Sequence, residues 1–363
     1  MNTPEVESAL IAELLEALRA LPDVTVDLAC QVDAGGQAAA NDVSISIQVA
    51  GYPLALLVWI RKALYPRDVR QVLWQIQDAA SRRSGDAGAE IAVPLLAAES
   101  ISPGAKELLK AERVGYFDAG GSLYLPAPRA LFFIDKPPSK STSRAIRSLF
   151  SGRRAHVLHG LLMRREDWLG VTELAEDVSA SPSTVSMVLT ELERLDWLDS
   201  RGLGPGKQRR VSQPAALLDA WAASLKQQPV EAMRRFFVSS VKTDALAAGL
   251  EGVCSSRGID YAVTHEAAAQ RYAPFLSSVS QVRIRLPAGS ATEAALGELG
   301  ARPVSEGANL VVIDAKSPGD LLFRERVDGV WLASPLQTYL DLVRAEGRAK
   351  ELAEHLRRTR IGF

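Results

Sequence analysis

Cysteine is nearly absent from this 363-residue chain, which contains only Cys30 and Cys254. Two thiols so far apart in sequence supply neither a disulfide framework nor a zinc cage. Histidine is equally scarce, at four residues. His156 and His159 fall on one helical face, but a metal site needs at least a third ligand and none lies nearby, so packing or a backbone bond is the simpler role. The chain also lacks any run of about 18 apolar residues and any basic-then-apolar leader, so neither a membrane span nor an export signal is expected and a cytoplasmic location follows. The glycine-rich Gly202-Leu203-Gly204-Pro205-Gly206-Lys207 lacks the GxxxxGK spacing, and Gln208 stands where a phosphate loop requires Ser or Thr. No metal and no cofactor is expected.

Hydrophobic residues make up 47% of the chain, enough to bury more than one core at this length. The net charge of −1 conceals an uneven distribution. Residues 1–135 hold 11 Lys/Arg and 17 Asp/Glu, residues 136–215 hold 13 and 9, and the remainder 18 and 17. Between Lys136 and Arg165 eight basic residues occur with no acid, a clustering that attracts phosphates and makes the attraction salt-dependent. Three domains are expected: 1–135, then 136–213 including the basic Pro/Ser linker, then 214–363.

The middle domain carries the most legible pattern. Val157, Leu158, Leu161 and Leu162 place apolar groups on one helical face, and Val171, Leu174, Ala175 and Val178 do so again. Ser181-Pro182 then opens a third helix, with serine as N-cap and proline at the first turn. Val185, Val188, Leu189, Leu192 and Leu195 face inward, leaving Ser181, Ser183, Thr184, Ser186, Met187 and Thr190 outside. The segment 197–201 is expected as a strand, the glycine-rich run as a hairpin tip, and 207–211 as the return strand, with Arg201, Lys207, Gln208, Arg209 and Arg210 along the ribbon. Helix, helix, turn, helix and basic ribbon is the order of a winged helix-turn-helix, whose small polar third-helix face suits a major groove. Arg153 and Arg154, at the start of the first helix, belong to the basic stretch and are expected at phosphates. The run Ser181-Pro182-Ser183-Thr184-Val185-Ser186 resembles the start of the recognition helix in bacterial winged-helix regulators. Those regulators often carry Arg where this chain has Met187, which shifts sequence selection toward hydroxyls, the wing and DNA shape.

In the N-terminal domain a helix is expected over 4–20, strands over 24–28, 43–49 and 54–60, a helix from Tyr65-Pro66-Arg67-Asp68, a strand over 90–96, a helix over 104–111 opened by Ser102-Pro103, and a hairpin over 115–125, where Asp118 forms a turn before Gly120-Gly121. This order resembles the PD-(D/E)xK restriction-endonuclease-like fold, in which an Asp on one strand and Glu-x-Lys on the next hold a metal. The resemblance puts Asp42 at the first carboxylate, Trp59 at the metal-binding Glu and Arg61 at the Lys. Indole has no oxygen to offer magnesium, so the metal site is expected to be dead.

The C-terminal domain is expected to begin with helix over 214–250, followed by a strand that enters a helix at Thr264-His265-Glu266, a strand over 279–286 carrying Arg283 and Arg285 on one face, and strands over 302–304 and 309–313. The pair His265–Glu266 is too close in sequence to converge on one substrate, and the two arginines are expected to be exposed. The run Trp331-Leu332-Ala333-Ser334-Pro335-Leu336-Gln337-Thr338-Tyr339-Leu340-Asp341-Leu342 resembles the C-terminal segment of AbiEi-type antitoxins of type IV toxin–antitoxin systems. That resemblance implies a nucleotidyltransferase-like core. The Gly-Ser and paired acids that such an enzyme needs to hold two magnesium ions are replaced by Thr264-His265 and Arg283-Ile284-Arg285.

The expected whole is an α+β multidomain chain: a degenerate restriction-endonuclease-like α/β domain, a winged helix-turn-helix, and a degenerate nucleotidyltransferase-like α/β domain. The expected function is non-enzymatic: a transcriptional regulator that binds double-stranded DNA as a homodimer. The alternatives are an antitoxin that represses its own operon beside a cognate toxin, and a metal-dependent nuclease.

Overall fold

In the run Leu54 to Trp59 apolar residues face both sides of the strand, and two separate cores explain why. In the computed structural model, which describes residues 3–31, 43–84, 91–128, 130–136, 148–239, 243–345 and 347–363, the N-terminal elements are α1 (Thr3–Arg19), β1 (Val24–Gln31), β2 (Val43–Val49), β3 (Tyr52–Leu64), α2 (Pro66–Ser84), β4 (Ile91–Ile101), α3 (Pro103–Ala111), β5 (Gly115–Asp118), β6 (Leu123–Ala127) and β7 (Ala130–Ile134). Successive strand side chains point to opposite faces. Leu54, Leu56 and Val58 of β3 therefore join Leu10, Leu14 and Leu18 of α1, while Leu57 and Trp59 join Val69 and Ile76 of α2 and Ala105 and Leu109 of α3. A strand covered on both faces has no solvent side on which to place polar residues.

The seven strands lie in chain order in one sheet. Pairing is parallel only at β3–β4 and β4–β5, where α2 and α3 make the crossovers, and antiparallel elsewhere. Ser102 caps α3, its hydroxyl accepting from the Ala105 N–H, with Pro103 in the first turn. The hairpin expected over 115–125 is extended by a further strand, β7, paired with β6. Asp118 does shape its turn, accepting from the Ser122 N–H at 3.0 Å, and also forms a buried ion pair with Lys106 at 2.8 Å.

The described chain divides into two compact units, residues 1–146 with Glu191–Asp196, and residues 147–190 with Trp197–Phe363. The second unit contains α4 (Gly152–Met163), α5 (Val171–Asp177), α6 (Pro182–Arg194), β8 (Leu198–Arg201), β9 (Gln208–Val211), α7 (Pro214–Lys226), β10 (Met233–Phe237), α8 (Thr243–Ser256), β11 (Ala262–Thr264), α9 (His265–Tyr272), β12 (Val282–Pro287), α10 (Ser290–Glu298), β13 (Arg302–Pro303), β14 (Leu310–Ala315), β15 (Glu325–Val327), β16 (Val330–Leu332), α11 (Pro335–Leu342) and α12 (Arg348–Leu356), except that the end of α6 groups with the first unit. The expected division at residue 213 falls inside this unit. Strands β8 and β9 form their own two-stranded ribbon, and the others form a mixed sheet in the order β13-β10-β14-β12-β11-β16-β15.

Continuous helix over 214–250 is corrected: α7 stops at Lys226, and β10 lies between β13 and β14 in the sheet. Pro229 lacks an N–H and disfavours helical backbone at Gln228, which ends the helix. Beyond it Phe236 is buried while Phe237 is exposed, the period of a strand.

Trp59 is 3% exposed in the core between sheet and helices. Trp59→Ala should cost about 3–5 kcal/mol of unfolding free energy, measured by denaturant titration. A loss near zero would mean that the indole does not fill this core.

Candidate nucleic-acid interface

Helix α6 owes its start to Ser181, whose hydroxyl accepts from the Thr184 N–H at 3.3 Å. The same oxygen lies 3.0 Å from Ser183 Oγ and 2.9 Å from Thr184 Oγ1, so three hydroxyls cluster at the helix N-terminus. Val185, Val188, Leu189 and Leu192 are buried, while Ser183, Met187 and Thr190 are exposed. Thr190 turns its hydroxyl back to the Ser186 carbonyl at 2.9 Å, leaving the half-exposed Met187 prominent at mid-helix. The turn before the helix is tight: Ser179 takes a left-handed φ of 50°, and the Ala180 N–H returns to the Ala175 carbonyl, an arrangement that ends α5 and redirects the chain.

The ribbon pairs Leu198 with Val211, Asp199 with Arg210, Ser200 with Arg209 and Arg201 with Gln208. Leu169 bridges Arg209 in antiparallel fashion, tying the ribbon to the loop before α5. Trp168, in a loop without apolar periodicity to mark it, is a platform for cations: the Arg201 and Arg210 guanidinium carbons stand 4.5 and 4.8 Å from its ring centre. Arg201 also donates to Gln208 Oε1, and Arg210 is 3.5 Å from Asp199. At the tip, Gly202 and Gly204 adopt positive φ, and Leu203 between them is 91% exposed. The only hint of Leu203 in the sequence is its place between two glycines.

Arg209 requires a correction. It is 8% exposed and its guanidinium donates to the Lys207 carbonyl, so it does not share a surface with Arg201. The alternation of β9 turns it inward with Val211. Arg153 is exposed at the start of α4, and Arg154 donates to Ser148 Oγ at 2.7 Å. Arg164 holds Asp167, Glu173 and Asp177 together and so braces α4 against α5.

Asp42 lies outside the described residues. Trp59 is a core residue, and Arg61, two residues on, donates to the Ile60 carbonyl at 2.7 Å. Among the described residues no group of three His, Cys, Asp or Glu is placed to hold a metal ion, and no helix is long and apolar enough to cross a membrane.

Exposure of Arg285 is also corrected. Val282, Ile284 and Leu286 fill one core, while Arg285, on the opposite face of β12, meets Asp341 of α11 and Glu231 and is 5% exposed. Its Nη2 donates to Asp341 at 2.7 Å and to Glu231 at 3.1 Å. Asp341 also accepts from Thr264 and from Gln337. Burial opposes ionisation of Asp341, but Arg285 and the Thr264 hydroxyl help to outweigh it and hold the carboxyl below its ordinary range. His265 starts α9 at φ 55°, and its Nδ1 is buried without a hydrogen-bond partner. Glu266 faces Arg283 at 3.7 Å, so the adjacent pair does not converge. His156 and His159 meet separate partners, Asp320 at 3.4 Å and Ser334 at 2.6 Å.

No family model, no curated protein and no solved structure matches the chain.

Burial pushes the imidazole of His159 down to about 3 and that of His265 down to about 4. Both are neutral in the folded protein at pH 7, whereas in the unfolded chain each takes up a proton below about pH 6.5. Their contribution to stability is complete above that pH and falls between it and the folded values, by up to about 1.4 kcal/mol per pH unit for each histidine. His159→Gln and His265→Gln should each flatten the fall in unfolding free energy between about pH 6.5 and 4. Slopes equal to the parent's would show that these rings are not held neutral.

Proposed function

We propose that the chain is a DNA-binding transcriptional regulator whose reading head is a winged helix made of α4–α6 and the β8–β9 ribbon. One observation carries this reading: a helix with a small polar outer face stands beside a ribbon whose exposed Arg201 and half-exposed Arg210 are fixed on Trp168. The outer face of α6 fits a major groove, where hydroxyls meet phosphates or base edges and Met187 meets a thymine methyl. The ribbon lies along the backbone, and Leu203 at its tip enters the adjacent minor groove as an apolar contact. A homodimer suits the function, because two-fold readers match half-sites about one helical turn apart.

The antitoxin reading rests on the resemblance of residues 331–342. Most of that run is buried, including Ser334, Leu336, Thr338 and Asp341, which argues against these residues as a surface that meets a toxin. A nuclease finds little support at Trp59, which sits in a hydrophobic core. The two flanking segments act on this reading as scaffolds for the reader.

Titration of labelled upstream duplex should give a complex whose log affinity falls with log salt at a slope of about −4 to −5, equivalent to about five phosphates per protomer. Arg201→Ala with Lys207→Ala should weaken binding and bring the slope about two closer to zero. Leu203→Ser should weaken binding at an unchanged slope. Absence of a complex at low salt would overturn the assignment.

A further inference from the structure

The second unit holds an open cavity of about 940 Å³, at the upper end of the range of ligand pockets. One wall is formed by Phe150 before α4, His159 of α4 and Trp221 of α7, all nearly buried; Phe150 and Trp221 stack at 6.5 Å, and His159 packs edge-on against Trp221. The other wall presents Arg285, with Lys316 and Arg153 at the rim. The acids of this cavity are already engaged: Glu231 bonds Arg285, Asp314 bonds Arg234, and Asp320 accepts from His156 and from the backbone of Lys316 and Ser317.

What is left unspent is one donor of the paired Arg285 and the cations at the rim. Both carboxylates on Arg285 bond a single atom, Nη2, and Nε is buried without a partner. A buried donor left unsatisfied costs free energy that a ligand acceptor would recover. Among the described residues Lys316 and Arg153 are in no ion pair, and both are exposed. The cavity also reaches Val178 and Ser179, the turn that leads into α6.

We propose that this cavity is an effector site for a small organic anion carrying a flat ring. The anionic group sits on Arg285 and is drawn in by Lys316 and Arg153, and the ring lies along Phe150 and Trp221. Occupation acts on the Val178-Ser179 turn and thereby on the presentation of α6. The regulatory half of this inference rests on the DNA-binding reading, whereas the binding half does not.

Calorimetry on the full chain tests the binding half, with adenosine 5′-monophosphate and benzoate as ring-bearing phosphate and carboxylate, and adenosine and inorganic phosphate as single-feature controls. At least one ring-bearing anion should bind with Kd below about 1 mM and at least tenfold more tightly than either control. Arg153→Ala with Lys316→Ala, both at exposed positions, should weaken it about tenfold, and Arg285→Lys should do so where the circular dichroism of the parent is kept. Failure of both anions to bind, or binding unaffected by the rim variant, overturns the site. Fluorescence anisotropy with duplex DNA then reads the second half: a bound anion should change DNA affinity by about fivefold or more, and an unchanged affinity overturns the regulation. Absence of DNA binding without any anion would count against the regulator alone, because calorimetry measures the site independently.

Discussion

The second unit depends on one buried charge pair. Arg285 and Asp341 are 5% and 8% exposed, and each would be costly to bury alone. Their bond joins β12 to α11. Thr264 at the end of β11 and Gln337 within α11 occupy further positions on the same carboxylate, so β11, β12 and α11 are joined at one carboxylate. From Gln337 the connection continues: its backbone N–H donates to Ser334, the N-cap of α11, which bonds His159 of α4. Removing one member leaves an uncompensated charge, whereas replacing both by apolar residues is often tolerated. The pair therefore serves to select this one arrangement of strand and helix more than to add net stability.

Most elements of both sheets were legible because apolar periodicity records which face is covered. Leu54 to Trp59 announced a strand buried on both sides, and Ser102-Pro103 and Ser181-Pro182 marked helix starts through the chemistry of capping. What the sequence did not reveal depends on partners distant in the chain. Met233–Phe237 is short, polar on one side and preceded by a good helix, and its strand identity comes from pairing with β14 about eighty residues later. β7 is defined by its pairing with β6. Arg285 could be placed on a face of β12 from alternation alone, but that this face is covered depends on Asp341 arriving from α11.

The candidate interface was legible to a similar degree. The third helix and its outer face followed from spacing, and so did the position of the ribbon. A run of basic residues does not make a surface on a strand, whose side chains alternate: Arg209 turns inward, and the Leu169 bridge sets a third strand-like segment beside it. Trp168 was missed because an aromatic residue in a loop carries no period, and its role appears only when Arg201 and Arg210 are folded over it.

On the proposed DNA-binding role, that platform bears on how a basic ribbon would bind. A free arginine loses about 2 kcal/mol of rotamer entropy when it is immobilised on a phosphate, and several such losses weaken an encounter that is otherwise driven by charge. Stacking on an indole restricts the guanidinium beforehand and leaves the planar edge available, while the net charge is kept. Arg201 is held in addition by Gln208, and Arg210 is partly neutralised by Asp199, so the two are unequal: Arg201 has the greater unspent charge and lies nearer the tip. An ordered cation beside an exposed leucine at a glycine-hinged tip is suited to meeting a groove edge of defined width, which is a means of reading DNA shape without a guanine contact from α6.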